Sequence, residues 1–181
     1  MDGDSAISLE ELLRSRDVRV EHQRELLTRF PGASLICFTV ILPGSVKRDV
    51  RSLKVAKAGV DALSQTFRND FLKEERDLAT GFEAYLVVSM PPEQAKKLCC
   101  DIEDTHPLGR LMDIDVIVDS STSPGMTEEL SVRPLGRADI GRPERRCLLC
   151  GKPARECMRA HAHTSEEIQS AINVILSKSA E

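Results

Sequence analysis

The chain has 181 residues, 41% apolar side chains and ten glycines, with 25 basic against 29 acidic groups and a net charge of −4. That length suits one domain with an appendage, and the composition excludes a disordered chain. No run of about 18 apolar residues exists, so no membrane span is expected; with Trp absent and aromatics at 3%, stacking on nucleic-acid bases is not expected either. The opening MDGDSAISLEELLRS carries acids and lacks the apolar stretch of a secretory signal, which predicts a cytoplasmic protein.

Ser8 to Glu11 form a Ser-x-x-Glu capping box, followed by Leu9, Leu12 and Leu13 on one helical face. Leu26, Leu27 and Phe30 repeat the spacing before Pro31-Gly32. This predicts an arm of two helices, or one helix interrupted near Arg16 to Arg19. Ser34 to Leu42 is β-rich and apolar throughout, as a central strand buried on both faces would be. Asp49 is a candidate N-cap for a helix with Val50, Leu53, Ala56, Val60, Leu63 and Phe67 as its stripe. Phe71 to Leu78 is short and charged, and reads as an edge strand. Phe82 to Met90 reads as another strand, and Pro91 or Pro92 opens a helix with Ala95, Leu98, Cys99 and Ile102 inward. Leu108 to Val118 is the last strong strand.

The order β-α-β-β-α-β over residues 34–119 predicts an α+β fold with a ferredoxin-like sheet in strand order 4-1-3-2. Residues 1–33 form the N-terminal helical arm, and residues 120–181 a Cys-rich and helical appendage packed on the core. Ser120 to Gly125 reads as a loop, and Glu129 to Val132 as a short extra strand. Gly136 to Pro143 is loop-like, and Thr164 to Glu167 form a second capping box that opens the C-terminal helix. In that topology the end of strand 1 lies beside the start of strand 4. Lys47, Arg48, His106 and Arg110 are therefore expected to converge at one edge of the sheet.

Charge is unevenly spread. Residues 70–129 carry net −9, whereas residues 130–160 carry net +5. A basic block of that kind attracts phosphates or an acidic partner; it also suits a solvated surface. Arg155 and Arg159, within it, are expected to speed encounter with an acidic protein.

Asp113 and Asp115 alternate with Ile114, so both carboxylates share one face of a strand. Such a pair suits Mg²⁺ in phosphoryl or nucleotidyl transfer, and equally suits an ordinary half-exposed strand. Lys47, Arg48 and Arg110 are candidate phosphate contacts. His106 is a candidate general base or phosphate donor, or a turn residue before Pro107.

Six cysteines without a secretory signal do not read as disulfides. Cys147, Cys150 and Cys157 with His163 offer three thiolates and one imidazole, a set that suits tetrahedral Zn²⁺; His161 competes for the fourth place. A reduced thiol cluster is the alternative reading.

Three blocks resemble the apo-citrate lyase phosphoribosyl-dephospho-CoA transferase family, the citrate lyase holo-acyl-carrier-protein synthases. They are Phe38-Thr39-Val40 through Pro43-Gly44 and Lys47; His106 through Val116; and Arg145-Arg146-Cys147-Leu148-Leu149-Cys150 with Cys157, Arg159 and His163. Leu12-Leu13-x-Ser15-Arg16-Asp17 also looks like the family's opening. Met112 stands where the family typically has Trp. The resemblance implies a nucleotidyltransferase that moves phosphoribosyl-dephospho-CoA from triphosphoribosyl-dephospho-CoA to a serine of the citrate lyase acyl-carrier (gamma) subunit, releasing diphosphate. The residues themselves, rather than the family's name, assign the roles: Asp113, Asp115 and His106 are the expected catalytic residues, with Mg²⁺ at the two aspartates. Lys47, Arg48, Arg110, Arg145, Arg146 and Arg159 are the expected substrate contacts. Two other classes fit parts of the same pattern: a zinc-stabilised basic module that binds an acidic partner without catalysis, and a nucleotide-binding enzyme with another acceptor.

Overall fold

A computed structural model describes residues 6–68, 71–120 and 131–178. Helix α1 (Leu9–Arg29) leads into strand β1 (Ser34–Val40), α2 (Val50–Thr66), the hairpin β2 (Phe71–Leu78) and β3 (Gly81–Val88), α3 (Pro92–Thr105) and β4 (Met112–Asp119). Then follow β5 (Val132–Pro134), α4 (Ala154–Arg159) and α5 (Ser165–Lys178). The sheet order is β2-β3-β1-β4-β5, with antiparallel pairing throughout. The first four strands take the expected order, and β2 is the charged edge strand.

Alternation sorts the sheet into two faces. Ile36, Phe38, Ala84, Leu86, Met112, Ile114 and Val116 pack under α2, α3 and α5. Leu35, Cys37, Tyr85, Val87 and Ile117 lie on the other face, with Leu26 of α1. Strand β1 is thus buried on both faces, as its uniform apolar run required. Met112 is fully buried in the first cluster.

Three helix starts behave as their capping residues dictate. Ser8 and Glu11 satisfy each other's backbone N–H groups, as do Asp49 and Ser52, and Thr164 and Glu167. The arm is one uninterrupted helix of 21 residues rather than two. The charged stretch expected to break it is held instead by the β2–β3 hairpin: Ser15 Oγ donates to Thr80 and Arg19 Nε to Glu83, at 3.0 and 2.8 Å.

The main departures from the sequence reading lie around β4 and beyond it. Gly109–Leu111 form a 3₁₀ turn, so β4 begins at Met112 and not at Leu108. The turn closes because Nδ1 of His106 accepts the Leu108 N–H and the His106 carbonyl accepts that of Gly109. The extra strand falls at Val132–Pro134; Glu129, Leu130 and residues 121–125 of the expected loop lie outside the described residues. Helix α4, after Pro153, was not anticipated.

Gly109 packs against the end of α3. A Cβ there would sit 2.5 Å from the Glu103 carbonyl oxygen and 2.6 Å from that of Ile102. Both are backbone atoms and cannot swing aside. Gly109→Ala should therefore cost about 1–3 kcal/mol, read as a lower midpoint of thermal unfolding.

Candidate functional site

Strand β4 sends Met112, Ile114 and Val116 into the core and leaves Asp113 and Asp115 half-exposed on the opposite face. Its inner edge pairs with β1, Asp113 opposite Thr39 and Asp115 opposite Cys37. Its outer edge pairs with β5 only over Ile117–Asp119. Upstream of that, side chains replace a strand. Glu103 Oε1 accepts the Ile114 N–H at 2.9 Å, and Lys96 Nζ donates to the Ile114 carbonyl at 2.9 Å. Arg145 Nη1 donates to the Met112 carbonyl at 2.9 Å.

These edge groups also meet the carboxylate pair. Lys96 Nζ lies 3.3 Å from Asp115 Oδ1, and Arg145 Nη1 lies 3.6 Å from Asp113 Oδ1 and 3.6 Å from Glu103 Oε1. Glu103 in turn accepts from Arg137 at 2.9 Å. Lys96 and Glu103 are almost fully buried. Loss of solvation, then the neighbouring Asp115, pushes the Asp113 carboxyl up to about 6, against the pull of Arg145.

The other expected residues divide. Lys47 Nζ donates to the Leu42 carbonyl at 2.8 Å. Next to Leu42, the Ile41 N–H bonds the Leu111 carbonyl, so Lys47 stands at the sheet end where β4 starts. Burial and the nearby Arg16 lower its pKa. Arg48 turns to β2 and forks Asp77 at 2.7 and 2.7 Å. Arg110 donates to the Arg146 carbonyl; burial and Arg145 lower its pKa. Arg145 also reaches the carbonyls of Gly109 and Arg110, both at 3.3 Å. Arg146 Nη1 contacts the Gly151 carbonyl at 3.3 Å, and Arg159 is exposed on α4. Burial lowers the His106 pKa. With Nδ1 accepting from Leu108, the proton of the neutral ring sits on Nε2.

The cysteine cluster forms a tight hairpin. The Cys147 N–H bonds the Lys152 carbonyl and the Ala154 N–H bonds the Arg145 carbonyl, both at 2.8 Å. All six cysteines of the chain are free thiols. One ligand atom from each of Cys147, Cys150, Cys157 and His163 lies within 4.8 Å of the others. Cys150 Sγ is 3.5 Å from both Cys157 Sγ and His163 Nε2. A metal can be held by this set. Burial raises the Cys147 pKa, but hydrogen bonds from the N–H groups of Leu149 and Cys150 and from the Cys157 and Cys150 thiols together outweigh it and bring the thiol to about 7. The competing His161 is exposed, with a left-handed backbone at φ 45°.

Lys96, Glu103 and Arg137 were not among the expected site residues. Lys96, Cys99, Cys100 and Glu103 stand at i, i+3, i+4 and i+7 of α3. Two charges continuing an apolar stripe at helical spacing was the available signal.

A family model described as apo-citrate lyase phosphoribosyl-dephospho-CoA transferase matches residues 7–179. A protein named apo-citrate lyase phosphoribosyl-dephospho-CoA transferase from Escherichia coli O1:K1 / APEC is 35% identical over 175 residues, which is 94% of this chain and 89% of that protein. Its counterparts from Vibrio cholerae serotype O1 (strain M66-2) and Streptococcus pyogenes serotype M18, each named as a probable enzyme of this kind, are 35% and 34% identical. The match covers 93% and 94% of this chain, and 91% and 86% of those proteins.

An acid whose pKa is raised by folding binds its proton more tightly in the folded state. The charge of Asp113 therefore costs stability above pH about 6, and that cost vanishes as pH falls below the ordinary carboxylate range near about 4. Asp113→Asn, measured with chelator present, should melt above wild type at about pH 8 and lose this advantage on acidification across that window.

Proposed function

The chain belongs to the apo-citrate lyase phosphoribosyl-dephospho-CoA transferase family, and on that premise we propose that it attaches phosphoribosyl-dephospho-CoA to a serine of the citrate lyase acyl-carrier (gamma) subunit. The donor is triphosphoribosyl-dephospho-CoA and the leaving group is diphosphate. Serine Oγ attacks the α-phosphorus in line. The Oγ–P bond forms as the bond to the diphosphate oxygen breaks, and the hydroxyl proton passes to a carboxylate of the Asp113–Asp115 pair.

One observation carries this reading: two half-exposed carboxylates on one strand face, flanked by the ammonium of Lys96 and the guanidinium of Arg145. The rise at Asp113 comes first from lost solvation and then from the charge of Asp115, which Arg145 only partly offsets. Asp113 and Asp115 therefore suit Mg²⁺, which when bound neutralises the triphosphate. Lys47 and Arg110 bind the triphosphate from the same end of the sheet, and Arg145 fixes the start of β4 beside it. His106 serves through Nε2–H, as a hydrogen-bond donor to phosphate and not as a base. Arg48 and Arg146, engaged with Asp77 and Gly151, hold the loops that carry Lys47 and the cysteines. The four-strand order supports placing the core in the ferredoxin-like class.

The metal held by Cys147, Cys150, Cys157 and His163 is Zn²⁺ in this reading. Three thiolates and one imidazole, all within 4.8 Å of one another, are a donor set that would suit Zn²⁺. With four protein ligands such an ion would be structural, and these residues would hold the hairpin that carries Arg145 around it.

Incubation with apo acyl carrier, triphosphoribosyl-dephospho-CoA and Mg²⁺ should add the mass of the prosthetic group to the carrier. Asp113→Asn or Asp115→Asn should cut turnover about 10²-fold or more, roughly 3 kcal/mol of transition-state stabilisation, without unfolding the protein. Wild-type turnover in both folded variants would remove the carboxylates from the chemistry, and no transfer by the wild type would favour a binding module. Untagged protein should contain one zinc per chain, and stripping it should lower the unfolding midpoint.

A further inference from the structure

The basic block of residues 130–160 is two populations. Arg133 is paired with Asp139, Arg137 with Glu103 and Asp104, Arg142 with Asp101, and Arg145 with Asp113 and Glu103. Each of these four has a carboxylate partner within the chain. Arg146, Lys152, Arg155 and Arg159 are exposed, and among the described residues none has a carboxylate within ion-pair distance. The unneutralised half is thus confined to the cysteine hairpin and α4.

The same surface exposes apolar side chains. Met158 is 71% exposed and Leu149, at the hairpin tip, 39%. Arg155, Met158 and Arg159 stand at i, i+3 and i+4, on the face of α4 away from buried Cys157. A large apolar side chain ringed by unpaired cations is poorly suited to water alone. It matches a partner face that is acidic at its rim and apolar at its centre. The surface also starts beside the carboxylate pair. The first N–H of α4, from Ala154, bonds the carbonyl of Arg145, and the Arg145 guanidinium lies 3.6 Å from Asp113.

We propose that this hairpin–α4 surface docks an acidic face of the acyl-carrier subunit, with Met158 as the apolar anchor and Arg155 and Arg159 as the flanking charges. The inference rests on the transfer reaction proposed above. A carrier docked there meets the chain at the residue whose side chain reaches Asp113, and uses none of the cations that hold the triphosphate.

The test is steady-state transfer by full-length enzyme, with the carrier and triphosphoribosyl-dephospho-CoA varied separately. Arg155→Glu with Arg159→Glu should raise KM for the carrier about tenfold or more, and Met158→Ser should raise it severalfold, with kcat and KM for the donor unchanged. Added salt should raise the wild-type KM for the carrier and move that of the double variant little. Lys57→Glu, an exposed charge change on α2, should leave every constant alone. Unfolding midpoints and zinc content matching wild type establish that the variants are folded. A KM for the carrier within twofold of wild type in the double variant, an equal rise in Lys57→Glu, or a rise in KM for the donor instead would each overturn the proposal. Wild-type enzyme that adds no mass to the carrier would overturn the transfer reading itself, a result distinct from the other three.

Discussion

The backbone of Ile114 has no strand beside it on the outer edge of β4, and a carboxylate and an ammonium from α3 do the work of one. An unpaired buried amide costs about 1–3 kcal/mol, and an unpaired buried charge more. The arrangement removes both penalties together, because Glu103 and Lys96 find in the strand edge, Arg137 and Asp115 the partners that their burial demands. Everything that defines the site depends on this. A fifth strand running the full length of β4 would leave no place at this edge for Lys96, and Asp115 would lose its cation. The gap is also what admits Arg145, whose guanidinium takes the next free carbonyl, that of Met112.

Arg145 joins two regions that the chain order keeps apart. Its side chain binds β4 and the 3₁₀ turn before it, while its backbone carbonyl receives the first amide of α4. The cysteine hairpin is therefore no remote appendage: its fold and the placement of the strand carrying the two aspartates share one residue. The six-residue α4 is too short to hold itself. The covalent reach from Cys147 to His163, closed around one ion, would provide the constraint that its length does not.

Much of this was legible in the sequence, and the reasons differ by element. The apolar run at Ser34–Leu42 could be nothing but a doubly covered strand, and the capping boxes at Ser8 and Thr164 fixed two helix starts. The Asp-x-Asp alternation predicted two carboxylates on one face, and the spacing of cysteines and His163 predicted a cluster that does close up. Features that were not legible were those whose meaning is tertiary. Leu108 to Leu111 has the composition of a strand, but a histidine side chain and a glycine pressed on α3 make it a turn. Arg48 resembles Lys47 in sequence, yet an aspartate on β2 claims it. Lys96 and Glu103 look like any solvated helix charges until the strand edge they complete is known.

Helix α1 is fastened to the sheet in an unusual balance. Its buried side chains are His22, Gln23 and Leu26, and its grip on the hairpin is polar: Ser15 on Thr80, Arg19 on Glu83, His22 on Glu74. Beneath it lies Cys37, a thiol that burial pushes up to about 12. Leu26, Leu27 and Phe30 complete the attachment by packing with Leu35, Tyr85, Val87 and Ile117. Both kinds of contact seal the thiol: the burial that raises its pKa also withholds the thiolate, and with it reactivity toward an alkylating reagent, for as long as α1 stays seated.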